Sequence, residues 1–135
     1  MVLDDIASYI DANSTALTLG TNFFKGGIPA TTAGTVLGLY ESGGLPPVWA
    51  FGGSNPVYER VRVQIISRST KYSTARSRAE TVYALLDRIA NSTSISSSGP
   101  RYVMIAAVQS PFYIGPDDQN RPQISCNFDV WKEMS

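Results

Sequence analysis

Histidine does not occur in the chain, and that absence removes more chemistry than any other feature of the sequence. Without an imidazole there is no usual general base near neutral pH, no nucleophile–histidine triad, and none of the commonest ligand of zinc and copper. Cysteine occurs once, at Cys126, so no intramolecular disulfide can form, which argues against an oxidising compartment. Charge is scarce too: 16% of residues are Asp, Glu, Lys or Arg, against about a quarter in an average soluble domain. The 11 basic and 11 acidic residues cancel, leaving the whole molecule no electrostatic pull toward nucleic acid or anionic lipid. Long apolar runs are missing, and "MVLDDIASYIDAN" opens on acid with no basic region. The expectation is no signal peptide, no transmembrane helix, no membrane partner and a cytosolic setting for synthesis.

What is present suits one domain. A chain of 135 residues with a 43% apolar share is long enough for a real core and too short for two. Leu3, Ile6, Tyr9 and Ile10 fall three to four apart, which predicts a short amphipathic helix ending near "DANST", with Asp4 and Asp5 suited to its N-terminal dipole. Short strands are expected at Thr21 to Phe24 and at Thr35 to Tyr40. "YERVRVQIISR" alternates: Val61, Val63 and Ile65 face one way, Arg60, Arg62 and Gln64 the other. A long helix follows over about 70–90, carried by Tyr72, Ala75, Ala79, Val82, Tyr83, Leu86, Ile89 and Ala90, with Ser69 and Thr70 offering hydroxyls for its N-cap. "RYVMIAAVQ" is apolar on both faces and predicts a central strand covered on both sides. A short strand, a turn over Pro116 to Asn120 and the alternating "QISCNFDVWKE" complete the chain. The fold class expected is α+β: an antiparallel, or mixed, sheet packed against two helices, in a single domain over 1–135 with a long Gly/Pro-rich loop at 41–58.

That loop is the first candidate site, because a connection of such length in a small domain is usually functional or disordered. A phosphate cradle needs lysine and a hydroxyl directly after its last glycine, and a helix to receive the anion. Here Gly52-Gly53 runs into Ser-Asn-Pro and a strand, so neither a P-loop nor a dinucleotide fingerprint is present. Leu45, Pro46, Pro47, Trp49 and Phe51 instead make an apolar, proline-stiffened segment. Trp and Phe are common interface anchors, so the segment either meets a neighbouring protein or folds back to cap its own core. The acid pair in "GPDDQNRP" lacks the ligand spacing of a calcium loop and reads as a hairpin turn. Cys126 alternates with Ile124, Phe128 and Val130, the position of a buried structural thiol. No catalytic constellation, metal set or cofactor motif remains. A basic run (Arg60, Arg62, Arg68, Lys71, Arg76, Arg78) offers a rival from another class, a nucleic-acid-binding module, but lacks the interleaved aromatics of single-strand binders.

Three stretches carry a resemblance. "YESGGLPP" with "NPVYERVRVQ", the helix pattern from Tyr72 through Ala75, Ala79 and Tyr83 to Leu86, and "QSPFYIGPDDQNRPQISCNFDV" are together similar to the bacteriophage minor capsid and tail-terminator proteins of the neck, or head–tail junction. The likeness covers about residues 36 to 133 in pieces, and Val61 stands where the pattern has proline. It implies an α+β structural subunit that is not an enzyme and takes no cofactor. It further implies a homo-oligomeric ring, a hexamer, at the head end of a phage tail, assembled in the host cytoplasm and resident in the virion. Such a ring would end tail polymerisation, meet the tail tube protein on one side and the head–neck connector on the other, and let genomic DNA pass without sequence-specific binding. Another neck, head-completion or minor capsid role is the alternative. On this reading Leu45, Pro46, Pro47, Trp49 and Phe51 contact a neighbour, and Arg60, Arg62, Arg76 and Arg78 face subunit contacts or the lumen.

Overall fold

The computed structural model of the chain describes residues 2–15, 17–28, 34–49, 56–92, 95 and 101–133, and only the backbone of 47–49 and 56–57. Two helices, α1 (Val2–Asn13) and α2 (Tyr72–Leu86), accompany seven strands: β1 (Phe23–Lys25), β2 (Val36–Trp49), β3 (Pro56–Arg68), β4 (Ile89–Ser92), β5 (Tyr102–Ala107), β6 (Phe112–Pro116) and β7 (Pro122–Glu133). The strands form one sheet in the order β1-β2-β3-β7-β5-β4, and β6 also pairs with β7. Among these described strands only β1 with β2 pairs in parallel and the other strand pairings are antiparallel; a lone bridge from Leu19 to Phe23 is also parallel. The α+β class is as the residue pattern predicts, with a mixed sheet.

The alternation of "RVRVQIIS" and "QISCNFDV" builds the core. In the β3–β7 ladder Ile65 lies opposite Cys126 and Val63 opposite Phe128, and all four are fully buried. They join Leu37, Leu39 and Ile105 of the sheet, Ile6 and Ile10 of α1, and Ala75, Ala79, Val82 and Leu86 of α2 in one apolar cluster. Ala75 and Ala79 carry no bulk beyond Cβ, so α2 sits close on β7 and β3. Polar contacts fix α1 at its acidic end. The Tyr102 hydroxyl donates to the Asp5 carboxylate at 2.6 Å, Lys132 approaches the same carboxylate at 3.7 Å, and Asp4 pairs with Lys25. Burial, then the Asp5 hydrogen bond, pushes the Tyr102 phenol well above its ordinary range, so it remains a donor into alkaline pH, where a free phenol ionises.

Four expectations are corrected. The long helix ends at Leu86, so the helices span 15 and 12 residues and are close in length. Asp87 is extended, Arg88 turns left-handed at φ 65°, and the Asp87 carboxylate accepts the Ala107 N–H at 3.0 Å. Ile89 and Ala90 therefore leave the helix and pair with Ile105 and Met104 as β4; two apolar residues at helical spacing do not distinguish a last turn from a short strand. The N-cap position is Lys71, with no side-chain cap, because the Ser69 hydroxyl is spent on the Lys71 N–H and on Thr35. Strand β5 is covered on one side only: Tyr102 and Ile105 are buried, whereas Met104 and Ala106 are half-buried on the helix-free face. Finally, residues 41–49 and 56–58 are not loop but strand, continuing β2 and β3.

Candidate assembly interface

The expected loop is thus, in its described part, a β-arm. From Tyr40 onward β2 has β3 on one side only, because β1 pairs with Leu37, Gly38 and Leu39 alone among the described residues. The ladder is irregular where the sequence is unusual. Register shifts fall between Glu41 and Gly44, between Leu45 and Val48, and between Val48 and Trp49. The first holds Gly43 and Gly44, at φ 98° and 147°. A Cβ on Gly44 would lie 2.5 Å from the Arg60 carbonyl oxygen, so only glycine lets the two strands approach there. The second holds Pro46 and Pro47, whose missing N–H groups are tolerated in a bulge on an edge strand. The prolines thus sit on a sheet edge and not in its interior.

Arg60 holds the arm down. Its Nε and Nη2 donate to the Pro46 carbonyl at 2.9 and 2.7 Å, and its guanidinium lies 5.5 Å from the Trp131 ring centroid. Tyr58 stands beside the same ring, 6.4 Å between centroids. Arg62, two residues on along the same face, donates to Asp129 at 2.9 Å. Between arm and sheet lies an open cleft of about 410 Å³ lined by Gly43, Gly44, Leu45, Arg60, Arg62 and Trp131, among others. Leu45 beside it is 61% exposed. The sites expected from sequence fare differently. Leu45 and Pro46 are exposed on the arm. Pro47 and Trp49 are placed there by backbone only, their side chains lie outside the described residues, and so does Phe51 entirely.

The basic run is divided. Arg60 and Arg62 occupy the helix-free face, whereas Arg76 and Arg78 lie on α2 across the sheet. Arg76 pairs with Glu80 one turn on at 3.0 Å, and the Arg78 Nη1 is buried without a hydrogen-bond partner. Split between the two faces of the sheet, these four arginines do not form one basic surface. Trp131 was the residue that sequence reasoning passed over, although its alternation out of phase with Phe128 and Val130 marks it as an aromatic on the polar face.

The remaining candidates are structural. In the β6–β7 turn the Asp117 carboxylate accepts the N–H groups of Gln119 and Arg121 at 3.0 and 2.8 Å and the Arg121 guanidinium at 2.8 Å. Asn120 supplies the left-handed residue at φ 60°. "PDDQNRP" is therefore a hairpin whose acid caps its own backbone, and the described residues contain no cluster of metal-ligating side chains. Cys126 is fully buried, its Sγ donates to the Gln109 carbonyl at 3.1 Å, and burial pushes the thiol up to about 11. A thiol so rarely ionised packs rather than reacts.

The chain is matched over residues 9–133 by the family model for "Bacteriophage tail terminator protein". The chain belongs to that family. Membership makes it a structural protein of the phage virion, of its tail or neck. A solved chain described as "Virion of native gene transfer agent (GTA) particle" superposes with a TM-score of 0.67 at 17% identity, over 96% of this chain and 92% of that one. At that identity the likeness is one of fold. No curated protein sequence matches the chain.

Proposed function

We propose that this tail terminator family member is a ring subunit, six to the ring, that caps the tail tube, stops its polymerisation and joins it to the head connector. The observation that carries the reading is the family match across residues 9–133. The mechanism is geometric and needs no catalysis: identical subunits bury complementary surfaces around a closed circle, and closure fixes the lumen through which DNA passes. One rim meets the tail tube protein and the other the connector. The β-arm supports this reading, since an edge strand bent by glycines and blunted by prolines resists uncontrolled strand pairing while presenting side chains to a chosen partner. Leu45, Pro46, Pro47, Trp49 and Phe51 supply that arm's contacts, and Arg60 and Arg62 its polar flank. Arg76 and Arg78, across the sheet, are assigned to the lumen or a second contact.

Electron microscopy of virions labelled on this chain tests the proposal. A label confined to the head–tail junction, with six copies per particle by quantitative mass spectrometry, is the expected result. A label spread over the capsid would overturn the terminator role in favour of a minor capsid one.

A further inference from the structure

Six large apolar side chains are exposed among the described residues, and they fall in two places. Leu45 is on the arm. Tyr72, Val108, Phe112, Tyr113 and Ile114 gather where β5 passes into β6 beside the start of α2. Tyr72 and Tyr113 touch edge to face, 6.0 Å between ring centroids, which joins the helix to the strand in one patch. Tyr113 lies opposite the buried Ile124, and Phe112 opposite Ser125 in register with Ile66. The strand therefore shows an aromatic on each face of the sheet. Its inner edge pairs with β7, and its outer edge has no strand against it among the described residues. A free strand edge that is apolar on both faces is an association site in a chain that must remain soluble before assembly.

We infer that this β6 edge, with Phe112, Tyr113 and Ile114 at its centre, receives the Leu45 segment of the β2 edge of a second copy of the chain. The inference rests on the ring reading above and names the contact that would close the ring. Two arguments select a second copy. First, the only other exposed large apolar side chain among the described residues is Leu45, on a strand that also has an open edge. Second, the two places cannot meet within one subunit. Leu45 stands opposite Arg60, and Phe112 reads through Ser125 to Ile66. That puts them about 20 Å apart along the strands and about 14 Å apart across three strand spacings. Complementary patches at diagonal corners of one sheet make a heterologous, head-to-tail contact, the kind that closes into rings. Phe112 and Leu45 share the helix-free face, so the arm reaches its neighbour without crossing the helix layer.

The test places cysteines at both corners, Leu45→Cys with Ile114→Cys, and treats purified particles and the concentrated full-length chain with a flexible bismaleimide. Buried Cys126 does not compete. The double variant is expected to give a ladder of covalent oligomers, and an equal mixture of the two single variants to give dimers and nothing larger. Dimers from the Ile114→Cys chain alone would overturn the inference, because they mean a two-fold contact. Linkage of Ile114→Cys to a different virion protein, or no ladder in either preparation, would overturn it as well. As a second measurement, Ile114→Asp, at a side chain 41% exposed, is expected to weaken self-association at least about tenfold with the unfolding midpoint of the subunit nearly unchanged; unchanged association would sink the contact. A junction label without the ladder keeps the terminator role and removes this contact, whereas a ladder with a capsid-wide label does the reverse.

Discussion

Strand β2 changes character half-way along, and its two halves make different uses of the ladder with β3. Over Val36–Tyr40 and Gln64–Arg68 the register is unbroken and Leu37, Leu39 and Ile65 are fully buried. Over Glu41–Trp49 of β2 three register shifts interrupt it, glycines and prolines occupy the bends, and Leu45 faces solvent, while β3 opposite stays paired with β7 without a shift. The first half is held by apolar area removed from water, which acts in the isolated subunit. On β2 the second half is held by a ladder with β3 broken by those shifts, by two hydrogen bonds from Arg60 and by little buried apolar area, which offset little of the cost of ordering an edge strand. An element so weakly held opens locally before the body unfolds. That suits a segment whose burial is completed by a partner.

The comparison breaks most visibly at Phe128. Its ring is fully buried in the apolar cluster, opposite Val63 at the centre of the β3–β7 ladder. Phe128→Ala is expected to cost about 3–5 kcal/mol, a large share of the stability of a domain this size. Urea unfolding of the purified subunit checks it. A loss below 1 kcal/mol, roughly the scale of a surface change, would mean that the body is not where stability resides.

Gly44→Ala probes the other half. The new Cβ meets the Arg60 carbonyl and the backbone of Val61 and Arg62, and φ 147° is strained for any side chain. The local cost is on the order of 1–3 kcal/mol, yet the global loss should be smaller, because the arm can lift away and leave the body folded. Hydrogen exchange is expected to speed up across 42–48 while amides of β7 stay protected. Loss of protection in β7 as well would show that arm and body are one cooperative unit.

That division also explains what was legible beforehand. Period-two alternation in "RVRVQIIS" and "SCNFDV" predicted the buried face down to single residues, because burial on one face writes itself into every second position. The α+β class followed. The arm was not legible as a ladder, since Gly43, Gly44, Pro46 and Pro47 are the residues that ordinarily end strands; only the partner β3, whose Arg60 and Val61 close over the bulges, makes them tolerable. The end of α2 was missed for a related reason. Leu86, Ile89 and Ala90 fit a helix by spacing, and the decision lies in a tertiary contact, Asp87 capping the Ala107 N–H. As for the site, the apolar segment on the arm was visible in sequence, but its clasp on Trp131 was not, because residues 60 and 131 become neighbours only through the β3–β7 register. The aromatic edge of β6 lay inside a quoted motif, and its exposure depends on where the sheet ends.

The finest test sets Arg60 against Arg62, which share one face two residues apart and differ only in what they hold. Arg60 ties the arm to the body through the Pro46 carbonyl and the Trp131 ring. Arg62 pairs with Asp129, but both side chains are over 40% exposed, and such pairs contribute between about 0 and 1 kcal/mol and fade with salt. Arg60→Ala is therefore expected to loosen the arm by about 1 kcal/mol, seen as faster exchange at Gly44 and Leu45. Arg62→Ala should leave both exchange and unfolding midpoint nearly unchanged. That silence makes Arg62 the more informative residue for assembly. If the ring forms normally without it, the Arg62–Asp129 pair is a solvated strand-face contact and the polar flank proposed for the arm reduces to Arg60. A several-fold loss of assembly in a subunit whose fold has not moved would instead place Arg62 against the neighbouring chain, since no intramolecular change remains to account for it.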